Sequence, residues 1–216
     1  MSRSTIPGAI AAVAAASLLL SACGGSDGGG SKDDKIDGAD SSPSKSASAT
    51  PGKDDGRPKV SLPAYAQTKF EGLSTGDAEN DEILADTSRS ITATYAAILG
   101  GETSSPAVSY YNRGKALAGA HSFIKGWVDK KDKWAGVISY YDWKVTPLSK
   151  GKVSVIYCSD ESKAWITKNP EKKRESLPPA SDDSLVLYNE RVVKGEQGAW
   201  VAEGRLAKRG AKECRR

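Results

Sequence analysis

Apolar residues between positions 77 and 100 recur every three or four residues, which is the spacing of one face of an α-helix. Acidic side chains from Asp77 to Glu82 favour the positive end of the helix dipole, and Gly100-Gly101 predicts the end of this helix. A second helix is predicted to begin at Ser105-Pro106, a capping serine followed by proline at the first helical position. After a break near Gly114, a third helix is predicted with an apolar face that carries Leu117, His121, Ile124 and Val128.

From Trp134 onward the helical spacing gives way to strict alternation, which is the pattern of a β-strand. Residues 137–145 alternate in this way, residues 148–151 predict a turn, and residues 153–157 resume the alternation. A second hairpin is predicted from residues 185–193 and 199–206, with its turn at residues 195–198. Helices followed by antiparallel strands predict an α+β domain, in which N-terminal helices pack on a curved, cone-like antiparallel sheet.

The N-terminal residues have a different pattern, with a short positive end at Arg3 and an apolar run from residue 6 to residue 20. This run is too short to cross a bilayer of about 30 Å and is typical of a secretory signal peptide. It ends in Leu20-Ser21-Ala22-Cys23, which resembles the lipobox of bacterial lipoproteins. That resemblance implies cleavage after residue 22 and a diacylglycerol on the sulfur of Cys23, which would hold the chain on the extracytoplasmic face of the cell membrane. The alternative is an unmodified thiol after an ordinary signal.

Residues 23–60 are predicted to form a disordered tether, because they are mostly Gly, Ser, Asp, Lys, Pro and Ala with few large apolar side chains. Such a composition cannot bury enough surface to offset the entropy lost on folding. Residues 61–216 are long enough for a single α+β domain. This domain carries 24 basic and 20 acidic residues, and so slight a positive charge on an exported chain argues against nucleic acid as a partner.

Cysteine usage gives one more constraint, since lipidation of Cys23 leaves only Cys158 and Cys214. In an oxidising compartment the simplest outcome is a disulfide between these two residues. Metal ligation is the alternative, but a single histidine and the lack of Cys-x-x-Cys spacing disfavour it. We therefore expect neither a metal nor a cofactor.

Short segments along residues 77–214 carry a family resemblance. They are Gly114-Lys115-Ala116-Leu117, residues 153–157 followed by Cys158-Ser159-Asp160, Gly198-Ala199-Trp200-Val201 and the terminal Cys214. In this order they resemble actinobacterial lipoproteins with a nuclear transport factor two-like, or cystatin-like, α+β domain. The resemblance implies a pocket between the helices and the concave face of the sheet. Dehydratases and isomerases of the wider fold use acid and base residues in that pocket, while many other members are not enzymes, so the fold alone selects no activity.

His121 is the only histidine of the chain, and its place between Leu117 and Ile124 makes it the strongest candidate for acid and base chemistry in such a pocket. A general base of this kind needs a carboxylate to orient it, and Asp142 or Asp160 could supply one. The simpler interpretation is a histidine at the helix edge that bonds a backbone carbonyl, with Asp160 capping a turn. We favour the simpler interpretation and predict no catalytic group.

The aromatic composition is biased, with five tryptophans and eight tyrosines against two phenylalanines. Tyrosine and tryptophan suit surfaces that contact sugars or proteins. Trp143 and Trp200 lie in strand patterns and are predicted to point inward, whereas Trp127 and Trp134 flank the basic run of residues 129–133 and are candidates for an exposed binding patch. Basic clusters at residues 172–174 and 205–216 could attract an anionic surface, although a solvated face is the ordinary explanation.

These features favour a lipid-anchored binding or regulatory module of the cell envelope that is not an enzyme. One alternative is a small pocket enzyme of the dehydratase or isomerase type that uses His121. Another is a structural envelope protein that binds polyanions through its basic clusters. The expected partners are the membrane, through the lipid anchor, and either an envelope protein or a small ligand.

Overall fold

The longest helix, α1, spans Ala78–Gly100 in the computed structural model, which describes residues 56–172, 177 and 180–216. It begins where predicted, because Asp77 Oδ1 accepts a hydrogen bond of 2.8 Å from the backbone N–H of Asn80. It ends at Gly101, whose φ of 73° is the left-handed conformation that favours glycine after a helix. Buried residues lie on nearly every side of α1, so this helix forms the centre of the domain.

Two shorter helices follow, α2 at Pro106–Tyr111 and α3 at Gly114–Asp129. Ser105 precedes α2 as predicted, but its side chain makes no capping hydrogen bond. The break between the helices falls at Asn112, just before its predicted place, and the side-chain amide of Asn112 donates to the hydroxyl of Ser90 at 3.1 Å. This bond ties the turn between α2 and α3 to α1.

The helices pack on a five-stranded sheet with the strand order β1-β2-β3-β4-β5. Its strands, numbered β1 to β5, span Ala66–Phe70, Lys133–Ser149, Lys152–Thr167, Leu185–Lys194 and Trp200–Arg209. Strands β2 to β5 form the antiparallel meander that the alternation predicts, and β3 continues well past its predicted end. The prediction of a wholly antiparallel sheet is wrong at one edge, where β1 pairs parallel to β2. Because β1 pairs with residues 136–140, far along the chain, no local hairpin signal marks it.

The main core lies between the helices and one face of this sheet. It is built from buried side chains of all three helices and of the inward strand positions, among them Leu84, Ile98, Tyr111, Ile124, Tyr140, Val155 and Trp200. Trp200 is buried as predicted, and Trp143 is half-buried with its ring centroid 4.5 Å from that of Tyr157. The predicted α+β class, with helices packed on a sheet, is confirmed.

The C-terminal residues cover part of the opposite face of the sheet. Cys158 on β3 and Cys214 form a disulfide with their Cα atoms 5.6 Å apart, which is the expected pairing. Tyr141 donates a hydrogen bond of 2.6 Å to the carbonyl of Cys214, and the guanidinium of Arg216 lies 3.3 Å from the centroid of the Tyr141 ring. These contacts fix the tail that follows β5 and hold it away from the helices.

The folded unit begins before residue 61, which corrects the predicted end of the tether. Arg57 makes two hydrogen bonds to the buried carboxylate of Asp86 on α1, at 2.6 and 2.9 Å, and Val60 packs against the main core. Cys23, the predicted signal peptide and the rest of the predicted tether lie outside the described residues. Within the described residues, no helix has the length and the apolar composition needed to cross a membrane.

Candidate ligand-binding cavity

A cavity of about 680 Å³ opens between helices α1 and α3 on one side and strands β2 to β5 on the other. It lies where the family resemblance implies a pocket. Its volume is within the range of about 300–1,000 Å³ that is typical of small-molecule sites. Most of its lining residues are apolar or aromatic, so its walls favour the apolar parts of a ligand.

Helix α3 contributes small side chains to the wall of this cavity. Ala116, Gly119 and Ala120 line it about one turn apart, and a Cβ atom placed on Gly119 meets no atom within 4 Å. Because the helix presents so little volume here, space remains between α3 and the rings of the sheet. Gly119 is therefore a position on the cavity wall where a Cβ atom can be added without a close contact.

The facing wall is built from aromatic rings on the sheet and on α1. Tyr157 stacks on Tyr188 with ring centroids 4.9 Å apart, and the centroid of Tyr140 lies 6.0 Å from that of Tyr157. Trp134 packs edge-on against Tyr95 with centroids 5.0 Å apart. The strand residues among them lie on neighbouring strands of one sheet face, so the rings form a nearly continuous aromatic surface.

A buried ion pair lies beside these rings. Glu190 on β4 is fully buried, and Arg205, its register partner on β5, donates to both carboxylate oxygens at 2.7 and 3.1 Å. Tyr157 donates a further hydrogen bond to Glu190. Arg205 lines the cavity, and its Nη1 atom has no hydrogen-bond partner within the part of the chain that the structure describes. The pair satisfies the buried carboxylate and leaves one guanidinium nitrogen available to a ligand.

Burial and charge shift the pKa values of the tyrosines and of Arg205 around the cavity away from neutral pH. Burial raises the pKa of Tyr188 to about 12. Burial likewise raises, well above the ordinary value, the pKa values of Tyr95, Tyr140 and Tyr157. Burial by itself lowers the pKa of Arg205, but the charge of Glu190 and the hydrogen bonds to it more than offset this, so the pKa of Arg205 is raised. Another lining pair, Arg209 and Glu161, forms a salt bridge at 2.8 Å.

The residues considered for acid and base chemistry are not brought together. His121 does not line the cavity, and its Nε2 atom is buried with no hydrogen-bond partner among the described residues. Asp142 is exposed at a bulge of β2 with a φ of 55°, and Asp160 Oδ1 accepts a hydrogen bond of 2.8 Å from the backbone N–H of Ser162. The cavity-facing side of α3 carries Ala120, and His121 is rotated from it by about 100°. The histidine–carboxylate pair of the enzyme alternative is therefore not formed.

The two tryptophans considered as an exposed patch both line the cavity, but in a different way from the prediction. Trp134 is buried, because it packs against Tyr95 in the main core, so its predicted exposure is wrong. Trp127 is half-buried, with its ring centroid 6.1 Å from that of Phe123. The tryptophans belong to the cavity wall and not to an open surface.

The predicted basic cluster of residues 205–216 has much of its charge paired within the protein. Salt bridges to acidic side chains are formed by Arg205, Lys208, Arg209, Arg215 and Arg216. In the cluster at residues 172–174, positions 173 and 174 lie outside the described residues. In the described part of the chain, no group of three or more His, Cys, Asp or Glu side chains could hold a metal ion.

Glu190 and Gly119 are candidate functional residues that the sequence prediction does not contain, and Arg205 enters that prediction only as part of the basic cluster of residues 205–216. The sequence contains a signal for Glu190, because this residue lies on the same buried face of β4 as Val186 and Val192. A carboxylate on a buried face requires a hydrogen-bond or ion-pair partner. The pairing of the hairpin then points to Arg205. Nothing in the sequence separates Gly119 from the other glycines of the chain.

No family model matches the chain, and no curated protein matches it. Among solved structures, it is similar to the intermembrane space region of the chloroplast protein ARC6, with 12% identity and a TM-score of 0.39 over 62% of this chain and 97% of that one. It is also similar to an NTF-2-like protein of unknown function from Shewanella oneidensis, with 14% identity and a TM-score of 0.33 over 57% of this chain and 96% of that one. Likeness at these TM-scores assigns no function.

Proposed function

We propose that this chain is a lipoprotein with an NTF2-like domain, held by Cys23 on the extracytoplasmic face of the cell membrane. In this proposal the domain is a non-enzymatic module that binds a largely apolar small ligand in the cavity between α3 and the sheet. The anchor is supported by the sequence Leu20-Ser21-Ala22-Cys23 after an apolar run. The binding role is supported by one observation, a cavity of about 680 Å³ that is walled by aromatic rings and has its acidic residues already paired.

The chemistry of the walls favours a mostly apolar ligand and disfavours a cationic one. A charged group placed against the rings loses its hydration, and the cavity holds no unpaired carboxylate that could balance a cation. Arg205 can donate from Nη1 while it keeps both bonds to Glu190. A ligand with an apolar body and one hydrogen-bond acceptor, such as a carbonyl or ester oxygen, meets these conditions.

Binding fits the electrostatics better than proton transfer does. Tyr157 and Tyr188 are neutral hydroxyls near neutral pH, because burial raises the pKa of each. The carboxylate of Glu190 accepts hydrogen bonds from Arg205 and Tyr157, so its oxygens are not available to take a proton from a substrate. The geometry therefore supports retention of a ligand and gives no proton acceptor poised for chemistry.

A cavity-filling substitution tests this function. Gly119→Phe places a ring in the cavity from a helical position where a Cβ atom meets nothing within 4 Å. The matched control is Gly126→Phe on the same helix, where a Cβ atom also meets nothing within 4 Å and the residue does not line the cavity. Both changes remove a glycine from a helix interior, so neither should reduce helix stability.

The readout is a fluorescence titration with N-phenyl-1-naphthylamine, an uncharged apolar probe. We expect Gly119→Phe to weaken probe binding by about tenfold or more, equivalent to about 1.4 kcal/mol. Gly126→Phe should bind the probe as the unmodified chain does. Equal affinity of the two variants, or no saturable binding by the unmodified chain, would contradict the proposed function.

A further inference from the structure

Two large apolar side chains at the cavity face solvent. Phe123 on α3 and Ile166 on β3 both line the cavity, yet 47% and 62% of their surfaces are exposed. They come from opposite walls, so they lie at the opening. Trp127 and Trp165 line the cavity beside them and are half-buried. The mouth is therefore an apolar rim that water covers in the isolated domain, which is an arrangement typical of interaction sites.

Lysines are frequent in the two chain segments that carry this rim, and Lys115 itself lines the cavity. Residues 115–133 and 161–168, which include both sides of the mouth, hold seven lysines and three acidic residues. Each of the three acids is paired: Asp129 with Lys125, Asp132 with Lys168, and Glu161 with Arg209. The remaining lysines have no ion-pair partner in the described part of the chain, and they are Lys115, Lys130, Lys131, Lys133 and Lys163.

We infer that the mouth of the cavity docks on an anionic lipid bilayer and that the ligand is an acyl chain of a membrane lipid, an inference that rests on the proposed binding function. Apolar side chains at the rim insert among the lipids, and the unpaired lysines meet the anionic headgroups. Each lysine near such a surface strengthens binding by up to about fivefold at physiological ionic strength. In this inference the exposed apolar rim and the unpaired lysines bind the same partner, the anionic bilayer.

Transfer of an acyl chain explains why the rim has to be apolar. Each methylene lowers the equilibrium constant for transfer of the chain from the bilayer to water about fourfold. Because the chain would have to pass through this unfavourable state, it cannot leave the bilayer through bulk solvent at a useful rate. A rim seated in the headgroup region gives a continuous apolar path from the bilayer into the cavity. Arg205 lines the cavity, and its guanidinium can then donate to an ester oxygen of the lipid.

The test uses residues 23–216 with Cys23→Ser, so that neither the apolar run of residues 6–20 nor an acyl group at this position contributes to membrane binding. Flotation is measured with vesicles of phosphatidylglycerol and phosphatidylcholine in equal amounts, and with vesicles of phosphatidylcholine alone. The rim variant combines Phe123→Ser with Ile166→Ser. Its matched control combines Leu148→Ser with Leu206→Ser, because these leucines are 55% and 75% exposed and do not line the cavity.

We expect the rim variant to lose about tenfold or more in partitioning to the anionic vesicles, while the control partitions as the parent does. Binding should fall when the ionic strength rises from about 0.15 M to about 1 M, since the screening length shortens from about 8 Å to about 3 Å. Equal partitioning of rim variant and control, or equal binding to the two kinds of vesicle, would overturn the docking.

Uptake of the acyl chain is measured separately with a phospholipid that carries a fluorophore on its acyl chain. We expect Gly119→Phe to block transfer of this lipid to the protein, while Gly126→Phe permits it. Transfer at the same level in both variants would overturn the acyl-chain assignment. If the parent binds N-phenyl-1-naphthylamine but neither docks nor extracts lipid, this inference fails and the proposed binding function stands. If the probe itself does not bind, the proposed function fails.

Discussion

The carboxylate of Asp86 joins three separate parts of the fold, and its removal should be among the most destabilising single changes. It is fully buried on α1 and accepts hydrogen bonds from Arg57 at 2.6 and 2.9 Å, from Arg89 at 2.9 Å and from the backbone N–H of Trp200 at 2.9 Å. Asp86→Ala takes away the acceptor of all four bonds. The N-terminal segment, α1 and the start of β5 then lose their common contact.

The size of the loss can be worked from these contacts. Removing one partner of a buried ion pair costs about 3–5 kcal/mol, because the other charge stays buried without its counterpart. Arg57 has only 13% of its side chain exposed, but it keeps a hydrogen bond of 2.9 Å to Glu82, and the side chain of Arg89 reaches solvent. The N–H of Trp200 is left without its acceptor, which adds to the penalty. We expect the lower end of that range, about 3 kcal/mol.

Urea unfolding followed by circular dichroism measures this difference. The control is Asp129→Ala, which removes an exposed carboxylate that accepts from Lys125 on the same helix and should cost no more than about 0.5 kcal/mol. The slope of the unfolding free energy against urea concentration should be the same in both variants, since unfolding exposes the same amount of surface. A free energy of unfolding for Asp86→Ala within about 1 kcal/mol of the parent would refute the reasoning, because the expected cost of removing one partner of a buried ion pair is about 3–5 kcal/mol.

Reduction of the disulfide between Cys158 and Cys214 should lower the free energy of unfolding by about 2–4 kcal/mol, because the bond closes a loop of 56 positions. An unchanged urea midpoint after reduction would argue against this. Ultraviolet titration should show Tyr188 ionising near pH 12. Since unfolded tyrosine ionises near pH 10, the buried rings stabilise the fold below about pH 10 and the stability should fall as the pH rises further. Stability that is constant up to about pH 12 would contradict their burial. Mass spectrometry of the mature protein should show loss of residues 1–22 and acyl groups on Cys23, and an unmodified thiol there would exclude the anchor.

The order of the elements could be predicted because each signal is local. Asp77 and Gly101 mark the ends of α1 through contacts within a few residues, and the alternation of β2 to β5 is continuous along each strand. Strand β1 has no such signal. It is five residues long, only one of its side chains is buried, and its partners begin at Gly136. Pairing between strands so far apart in the sequence depends on the tertiary structure, and a local sequence pattern carries no information about it.

The orientation of α3 shows how a helix face can be predicted only in part. The predicted stripe carries Leu117, His121, Ile124 and Val128. Of these, Ile124 is fully buried and Leu117 and Val128 pack against the main core, but Ala116 and Ala120, which the prediction does not contain, are buried as well. Small residues contribute little to an apolar pattern, so the larger side chains of the neighbouring stripe dominate it. The buried side is set by what α3 packs against. His121 lies beside this packed side and does not line the cavity.

The cavity itself is a volume that no residue occupies, and a sequence records only the residues that are present. The rings of Tyr140, Tyr157 and Trp134 line this volume, and each of these side chains is almost fully buried. Gly119 lies on the wall of the same volume, and a Cβ atom added there meets no atom within 4 Å. A ligand that binds only the folded state adds about 2.7 kcal/mol of stability at one hundred times its dissociation constant. Under the proposed function, the cavity is a place where a bound ligand stabilises the folded domain in the way that side chains do elsewhere in the core.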